Sequence, residues 1–457
     1  MASKSKIIAE LFEADGDIVA SALDNVVVTP TAVSDQPNTS TGGLTMPAGT
    51  TAQRPGSPDT GESRFNSTTG SLEFYDGSGW VSTNLIPNIS SISGTINDSY
   101  ASNLVFAVTN NSDTVDVVFS EGGTAFHTVS GQSVSSGAFT LATPSQVYGQ
   151  TGGDTISISI KNNDGTPSGN AVTKTVIAVP TGGTITTSGS YRYHTFNSSS
   201  NFVVPSGFAA TAEYLLVAGG GATRAGDHAT GSGGGGAGGA IDSTVSLSAQ
   251  TYSIVIGAGG AGASGSGNGN SGSNSTAFGS TANGGGRGAA YQGHASASGG
   301  SGGGGSYSST DLAGSAGTAG QGNAGGTGSG GDIRAGGGGG GKGAVGGNAS
   351  GSGTSSAAGN GGVGINWKSL GTFYAGGGGG GVAPWTVGGK TAGAGGNGGG
   401  GAGGRSTSQI FTKGADGTVN TGGGAGGSSI NGPSGSGDGH AGANGGSGVV
   451  IVRYQLP

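Results

Sequence analysis

The sequence predicts a mainly β protein whose last domain is a block of polyglycine-II-like helices bracketed by β-strands. Of the 111 glycines in the 457 residues, 23 lie in residues 1–210, which leaves 88 for residues 211–457. Apolar segments at 214–218 and 449–454 enclose this glycine-rich block, and a third, 252–256, lies inside it. Such segments are typical of buried strands, which need partners. Upstream, short alternating segments separated by turn residues predict a further β domain.

Two physical states tolerate so much glycine, which costs roughly 0.5–1 kcal/mol relative to alanine inside a helix or strand. One is a flexible linker, and the other is a set of extended helices packed so closely that only glycine fits. The enclosing strands favour the second. The six-glycine runs 336–341 and 376–381 would each extend about 19 Å, and their backbone groups must pair with neighbouring runs or with water. The Gly-X-Y repeat of collagen is absent.

The composition limits the function classes. Charged residues make up 9% of the chain and the formal net charge is −7, so no basic field attracts nucleic acid. There is no cysteine, which removes disulfides and thiolate metal sites. The amino end lacks the apolar core of a signal peptide, and no run of about 18 apolar residues suggests a membrane span. We expect a soluble protein of two to four domains.

The amino-terminal arm, residues 1–43, begins with four apolar residues at helical spacing: Ile7, Ile8, Leu11 and Phe12. One short amphipathic helix of this kind is marginal alone and needs a partner surface. We expect it to dock on another chain, with a frayed terminus as the alternative. Five prolines between residues 25 and 60 predict an extended connection.

Residues 44–86 form a predicted hairpin module. Alternating strands joined by glycine-containing turns at 61–81 predict a β-meander. A meander this short cannot bury a core alone, so we expect it to gain stability from trimerisation or from a neighbour. Residues 87–180 alternate as short strands, for example at 104–108, 115–119 and 155–160, and predict an Ig-like β-sandwich spacer. Residues 181–457 are the glycine-rich domain.

The stretch 44–82, LTMPAGTTAQRPGSPDTGESRFNSTTGSLEFYDGSGWVS, resembles the recurring module of tailed-phage fibre proteins. Residues 184–457, with "EYLLVAGGGA", "YAGGGGGG" and "GSGVVIVRY", are similar to the glycine-rich domain at the ends of marine phage fibres. The polyglycine adhesins of T-even phages are a more distant likeness, in composition only. The resemblance implies a distal domain that contacts the host surface, and an amino-terminal arm that docks on the virion.

Several spacings imitate catalytic motifs without their context. Gly336 to Lys342 is similar to a phosphate loop, but Gly343 stands where Ser or Thr should hold magnesium. The Gly-x-Ser-x-Gly spacing at Ser301 lacks the flanking strand and helix. No two of the five histidines have metal-ligand spacing, and no cluster of aspartates suggests a glycosidase. We expect no catalysis, no cofactor and no metal.

Large side chains are rare between the glycine runs, and runs without side chains recognise only shape. We therefore expect recognition by the connecting segments, ending together at the tip of a parallel lattice. Aromatic rings suit the apolar faces of sugars and anchor protein contacts. The alternative is that these side chains cap or wedge the block. The candidate contact residues are Tyr291, Tyr307, Trp367, Lys368, Trp385 and Phe411.

The resemblance to phage fibre proteins implies a virion tail fibre or related appendage, made in the host cytoplasm, and we expect it to bind the cell surface by multivalent contacts. The expected partners are other tail or baseplate proteins, a host surface glycan or outer-membrane protein, and two further copies in a homotrimer. A purely structural fibre on the capsid or baseplate is the main alternative. A glycan-depolymerising tail spike is a further one, because sequence alone does not exclude a cleft with two carboxylates.

Overall fold

The computed structural model of the chain describes residues 46–68, 70–82, 87–109, 114–162, 169–224, 230–263, 267–291, 294–307, 312–330, 333–351, 353–383, 389–406, 412–429 and 441–456. The chain divides into two compact units, Met1–Asn84 and Leu85–Pro457. The predicted docking residues Ile7, Ile8, Leu11 and Phe12 lie outside the described residues, so their role stays a prediction.

Strands dominate the described residues, which confirms the predicted mainly β class. Helix is limited there to one α-helix, α1 (Ser145–Tyr148), and three 3-10 turns, Thr51–Gln53, Gly353–Ser355 and Trp367–Ser369. None of the helices in this part of the chain is long and apolar enough to cross a membrane.

The first unit contains one sheet of four short strands: β1 (Ala48–Gly49), β2 (Ser63–Asn66), β3 (Ser71–Tyr75) and β4 (Trp80–Ser82). Strands β2, β3 and β4 pair antiparallel in sequence order, as in the predicted meander, and β1 pairs parallel with β2. One face is covered and polar: Arg54 and Arg64 lie 2.6 and 3.3 Å from the buried Glu73 carboxylate. The opposite face carries four apolar side chains that are 38–44% exposed, Phe65, Leu72, Phe74 and Val81.

The second unit begins with eight strands: β5 (Asn88–Ser93), β6 (Ile96–Asn97), β7 (Asn103–Thr109), β8 (Thr114–Glu121), β9 (Thr124–Ser133), β10 (Ala138–Ala142), β11 (Thr155–Asn162) and β12 (Ala171–Ile177). They form a three-stranded sheet, β10-β7-β5, and a five-stranded sheet, β6-β12-β11-β8-β9. Residues of both sheets share one apolar core, to which β11 contributes Ile156, Ile158 and Ile160. Two layers around one core support the predicted sandwich, and its Ig-like character remains an interpretation.

The other strands belong to the terminal domain: β13 (Thr184–Ser188), β14 (Tyr191–Phe196), β15 (Ser200–Val204), β16 (Ala210–Val217), β17 (Ala240–Leu247), β18 (Gln250–Ile254), β19 (Ser275–Ala277), β20 (Ser280–Ala282), β21 (Ile365–Asn366), β22 (Phe373–Tyr374) and β23 (Val449–Gln455). Five of them form the main sheet, in the order β13-β14-β23-β16-β17. The apolar segments that enclose the glycine block lie in β16 and β23, which are antiparallel neighbours. Their side chains alternate between two apolar clusters, one on each face of the sheet.

The glycine run 336–341 pairs with three neighbouring segments in rotation. The N–H groups of residues 336 and 339 donate to carbonyls in 376–381, those of 337 and 340 to 302–305, and those of 338 and 341 to 344–347, over 2.8–3.0 Å. Every third N–H therefore meets the same neighbour, the repeat expected of an extended helix with three residues per turn. This pattern supports the polyglycine-II-like interpretation. Such mutual pairing is incompatible with a flexible linker.

Neighbouring segments of the block run in both directions. Residues 336 and 339 donate to Gly381 and Gly378 in turn, so the two glycine runs are antiparallel. Residues 376 and 379 donate to Gly398 and Gly401, so this pair of segments is parallel. The expectation of a parallel lattice with all connections at one tip is therefore wrong. A single chain makes short connections by reversing direction, which distributes its turns over both ends of the block.

Glycine is required in these segments because backbone from a neighbour occupies the space of a side chain. A Cβ atom on Gly378 would overlap the carbonyl oxygen of Ala425, and one on Gly339 would overlap that of Gly235. Neither glycine has a left-handed φ, so the requirement is steric and not conformational. Close packing of backbone on backbone therefore accounts for most of this interior, and the apolar side-chain cluster of Ala335, Ala358 and Val382 is small.

Candidate functional site

The glycine-rich block has two ends, which the segment 231–240 connects. We call the end beside the main sheet the inner end: there Ala240 begins β17, and the Ala218 N–H donates to Gly239 over 3.0 Å. At the outer end, the Gly231 N–H donates to Arg334 over 3.2 Å and Gly231 forms a bridge with Ser429. Positions 231 and 240 are separated by about 28 Å at the rise of an extended three-residue helix. The predicted contact residues divide between these two ends.

Tyr291 and Tyr307 come together at the outer end. Their rings stack with centroids 5.7 Å apart and 13° between the planes. The guanidinium carbon of Arg334 lies 5.3 Å from the Tyr307 ring centroid, within the range of a cation–π contact. Both tyrosines are partly exposed. This group can offer a ligand an aromatic face beside a positive charge, which suits the apolar face of a sugar ring.

Trp385 and Phe411 lie outside the described residues. Described residues next to their segments meet at the outer end, where Val382 forms bridges with Ala335 and Arg405, and Thr412 with Ser429. The chain therefore enters the segment that contains Trp385, and both enters and leaves the segment that contains Phe411, at the same end as the tyrosine pair.

Trp367 lies at the inner end and is buried, with 1% of its surface exposed. Its indole belongs to the apolar cluster of Leu215 and Val217, and its Nε1–H donates to Asp242 Oδ1 over 2.9 Å. This position corrects the expected receptor contact, because no face of the ring is available to a partner. The ring instead wedges the block against β17, which was the alternative interpretation.

Lys368 belongs to an ion-pair network at the inner end. Its Nζ lies 2.7 Å from Glu213 Oε1 and 3.6 Å from Asp242 Oδ1. The other oxygen of Glu213 accepts a hydrogen bond of 2.7 Å from Arg453 Nε. Carboxylates therefore neutralise both Lys368 and Arg453. The network holds residue 368 against β16, β17 and β23. Lys368 is 27% exposed in its side chain, so only part of it faces solvent.

The hydrogen bond between Lys368 and Glu213 lowers the pKa of the carboxyl and raises the pKa of the amine. Both groups therefore stay charged over a wide pH range, and this pair supplies no proton near neutrality. Sequence reasoning did not single out Glu213, Asp242 or Arg453. No local signal could have found them, since Asp242 is 125 positions from Trp367 and only the sheet brings them together.

The spacings that imitate catalytic motifs lie in structural positions. Ser301 is fully buried, and the Lys342 amine donates to the carbonyl of Gly320. His194 is buried with Nδ1 2.8 Å from the carbonyl oxygen of Gly182, and burial lowers its pKa to about 4. Within the described residues, no group of three or more His, Asp or Glu side chains could hold a metal ion.

A comparison with known families assigns the terminal domain. Residues 194–455, from within β14 to the end of β23, match the family described as a glycine-rich domain. The match includes the whole glycine block and spans more than half of the 457 residues. No curated protein matches the chain. The chain therefore belongs to the glycine-rich domain family.

Proposed function

We propose that this chain is a tail-fibre or related appendage protein of a tailed-phage virion that binds the host surface through the outer end of its glycine-rich domain. The observation that carries the proposal is the meeting of Tyr291, Tyr307 and Arg334, remote in sequence, at one end of a hydrogen-bonded block. The viral assignment is supported by the likeness of residues 44–82 to phage fibre modules. The ligand is a host surface glycan or an outer-membrane protein.

The block suits this role because it is rigid and carries few functional side chains. Its interior is mainly backbone and small buried side chains such as Ser301, so side chains that recognise a partner must come from the connecting segments. At the outer end the aromatic pair and the guanidinium provide a small contact area, which implies weak binding at each tip. Several tips on one particle raise the overall avidity by roughly 10²–10⁴ without new contacts.

We further propose that three copies associate through the first unit. Its apolar side chains form two cross-strand pairs on one face, Phe65 opposite Leu72 and Phe74 opposite Val81. The other face is already filled by the ion pairs of Glu73. Packing three such faces together would remove exposed apolar surface from water and supply an apolar core. The three amino-terminal arms, residues 1–43, would then lie together, and we propose that the helix predicted there from the sequence docks on a tail or baseplate protein.

Competition for the host surface tests the function. The full chain at saturating concentration should block adsorption of the phage whose virion carries it, and Tyr307→Ala should compete much less well. Tyr148→Ala, a partly exposed tyrosine in the sandwich, is the matched control and should compete normally. Undiminished adsorption in the presence of the full chain would favour the purely structural fibre. Shortening of host polysaccharide on incubation would instead indicate the depolymerase.

A further inference from the structure

A cavity of about 240 Å³ lies between the sandwich and the main sheet of the terminal domain. Strand β16 begins beside it at Ala210 and leads away from it toward the glycine block. The cavity is therefore separate from both ends of the block. The sandwich contributes one part of its lining and the terminal domain the other: Asn97, Tyr100 and Ile177, then Phe208, Ala209 and Gln455.

Two polar atoms of the lining residues have no hydrogen-bond partner among the described residues, the amide nitrogen of Asn97 and the hydroxyl of Tyr100. Both atoms are buried, and Asn97 is only 2% exposed. The backbone fixes Asn97 in place because β6 pairs with β12 and sets it opposite Ile177. A buried donor without a partner has lost its hydrogen bonds to water without forming others, which costs free energy of folding. Such groups in native proteins commonly meet a ligand or an ordered water.

The size and charge of the cavity limit the ligand. A cavity of about 150 Å³ holds benzene, so this one has room for a somewhat larger group. Ile177, Phe208 and Ala209 supply apolar wall. The Arg192 guanidinium lies 5.8 Å from the Tyr100 ring centroid, and the Asp98 carboxylate is next to Asn97 in sequence. These opposite charges offset each other, which favours a neutral ligand with one apolar face and an oxygen acceptor.

We propose that this cavity binds the N-acetyl group of an amino sugar. Rotation of the buried Asn97 side chain turns its amide toward the cavity, where it donates to the acetamido carbonyl, and the methyl group packs against Phe208 and Ala209. The Tyr100 hydroxyl, whose pKa burial raises to about 12, stays protonated and, after a similar rotation, donates to a sugar oxygen. The site shares no residue with the tyrosine pair at the outer end, so it stands or fails independently of receptor binding there.

Saturation-transfer NMR on the full chain tests the proposal with N-acetylglucosamine and glucose, which differ at this group. The acetamido methyl protons should receive the strongest saturation, and glucose should receive none. Asn97→Leu should weaken binding of N-acetylglucosamine at least tenfold, and Ala209→Leu, which fills the cavity, should abolish it. Asn103→Leu, at an exposed position in β7, is the control and should bind as the unchanged protein does.

A second measurement addresses the unpaired amide directly. Replacing an unpaired buried donor by an apolar group of similar size is nearly neutral or stabilising, so Asn97→Leu should keep or raise the melting temperature. A fall of several degrees would show that the amide is paired, and would overturn the proposal. Equal saturation of both sugars, or of neither, would overturn it as well and would leave the cavity as a site for ordered water only.

Discussion

Gly378→Ala tests the close packing of the glycine block. The added Cβ would overlap the carbonyl oxygen of Ala425, which accepts a hydrogen bond of 2.8 Å from the Gly235 N–H. The Gly378 N–H itself donates to the Gly235 carbonyl over 2.9 Å. Three segments meet at this point, so relief of the overlap must stretch hydrogen bonds on more than one of them.

The expected cost follows from these contacts. Overpacking alone costs typically 1–3 kcal/mol, and each backbone hydrogen bond that is lost adds about 1 kcal/mol. With two bonds disturbed, we expect the free energy of unfolding to fall by about 3–5 kcal/mol. Since 1 kcal/mol shifts the melting temperature by roughly 2–4 °C in domains of about 150–250 residues, a decrease on the order of 10 °C should be measured by calorimetry.

The control is Gly320→Ala. Gly320 has no atom within 4 Å of an added Cβ, but its φ is +77°, so the substitution introduces only left-handed strain of about 1–2 kcal/mol. We expect it to lower the melting temperature much less than Gly378→Ala does. If both variants melted within about 2 °C of each other, or if Gly378→Ala were neutral, steric exclusion would not explain the glycine content.

Three further outcomes are expected. Lowering the pH should destabilise the terminal domain, because the His194 pKa of about 4 lies below its ordinary 6.5. The contribution of neutral His194 to the free energy of unfolding is fully present above pH 6.5 and falls by up to roughly 3 kcal/mol toward pH 4. In thermal melts, His194→Phe should flatten this dependence on pH. Trp367→Ala should lower the free energy of unfolding by about 3–5 kcal/mol in urea titrations, whereas a receptor contact would leave stability unchanged. Leu72→Asp should shift the sedimenting mass from trimer toward monomer, and a mass unaffected by this change would argue against association through the exposed face of the first unit.

The sequence was informative where the signal is local. The apolar runs at 214–218 and 449–454 predict the central strands β16 and β23, because a continuous apolar segment needs cover on both faces. Glycine density predicts backbone pairing for a similar reason, since unpaired buried N–H groups are costly. The direction of each segment is not local, and nothing in 336–341 or 376–381 reveals that they are antiparallel.

In the candidate site, too, some features are readable from the local sequence and others depend on the three-dimensional fold. Trp367 and Lys368 stand out by residue type, but their environment depends on Asp242 and Glu213, which only the completed sheet brings near. The pairing of Tyr291 with Tyr307 likewise follows from the order of segments in the block. Residue type therefore identifies candidates, whereas burial, which separates a wedge from a surface contact, is a property of the three-dimensional arrangement.

The three-way pairing of interior glycine segments such as 336–341 has a consequence for how this domain can vary over evolutionary time. A segment fixed by three neighbours does not depend on the length of the turn that follows it, so insertions and deletions in a turn leave the framework intact. Because the chain reverses repeatedly, several such turns accumulate on the side away from the main sheet. Selection can then change the length and sequence of each turn separately. The paired glycine segments themselves tolerate almost no substitution.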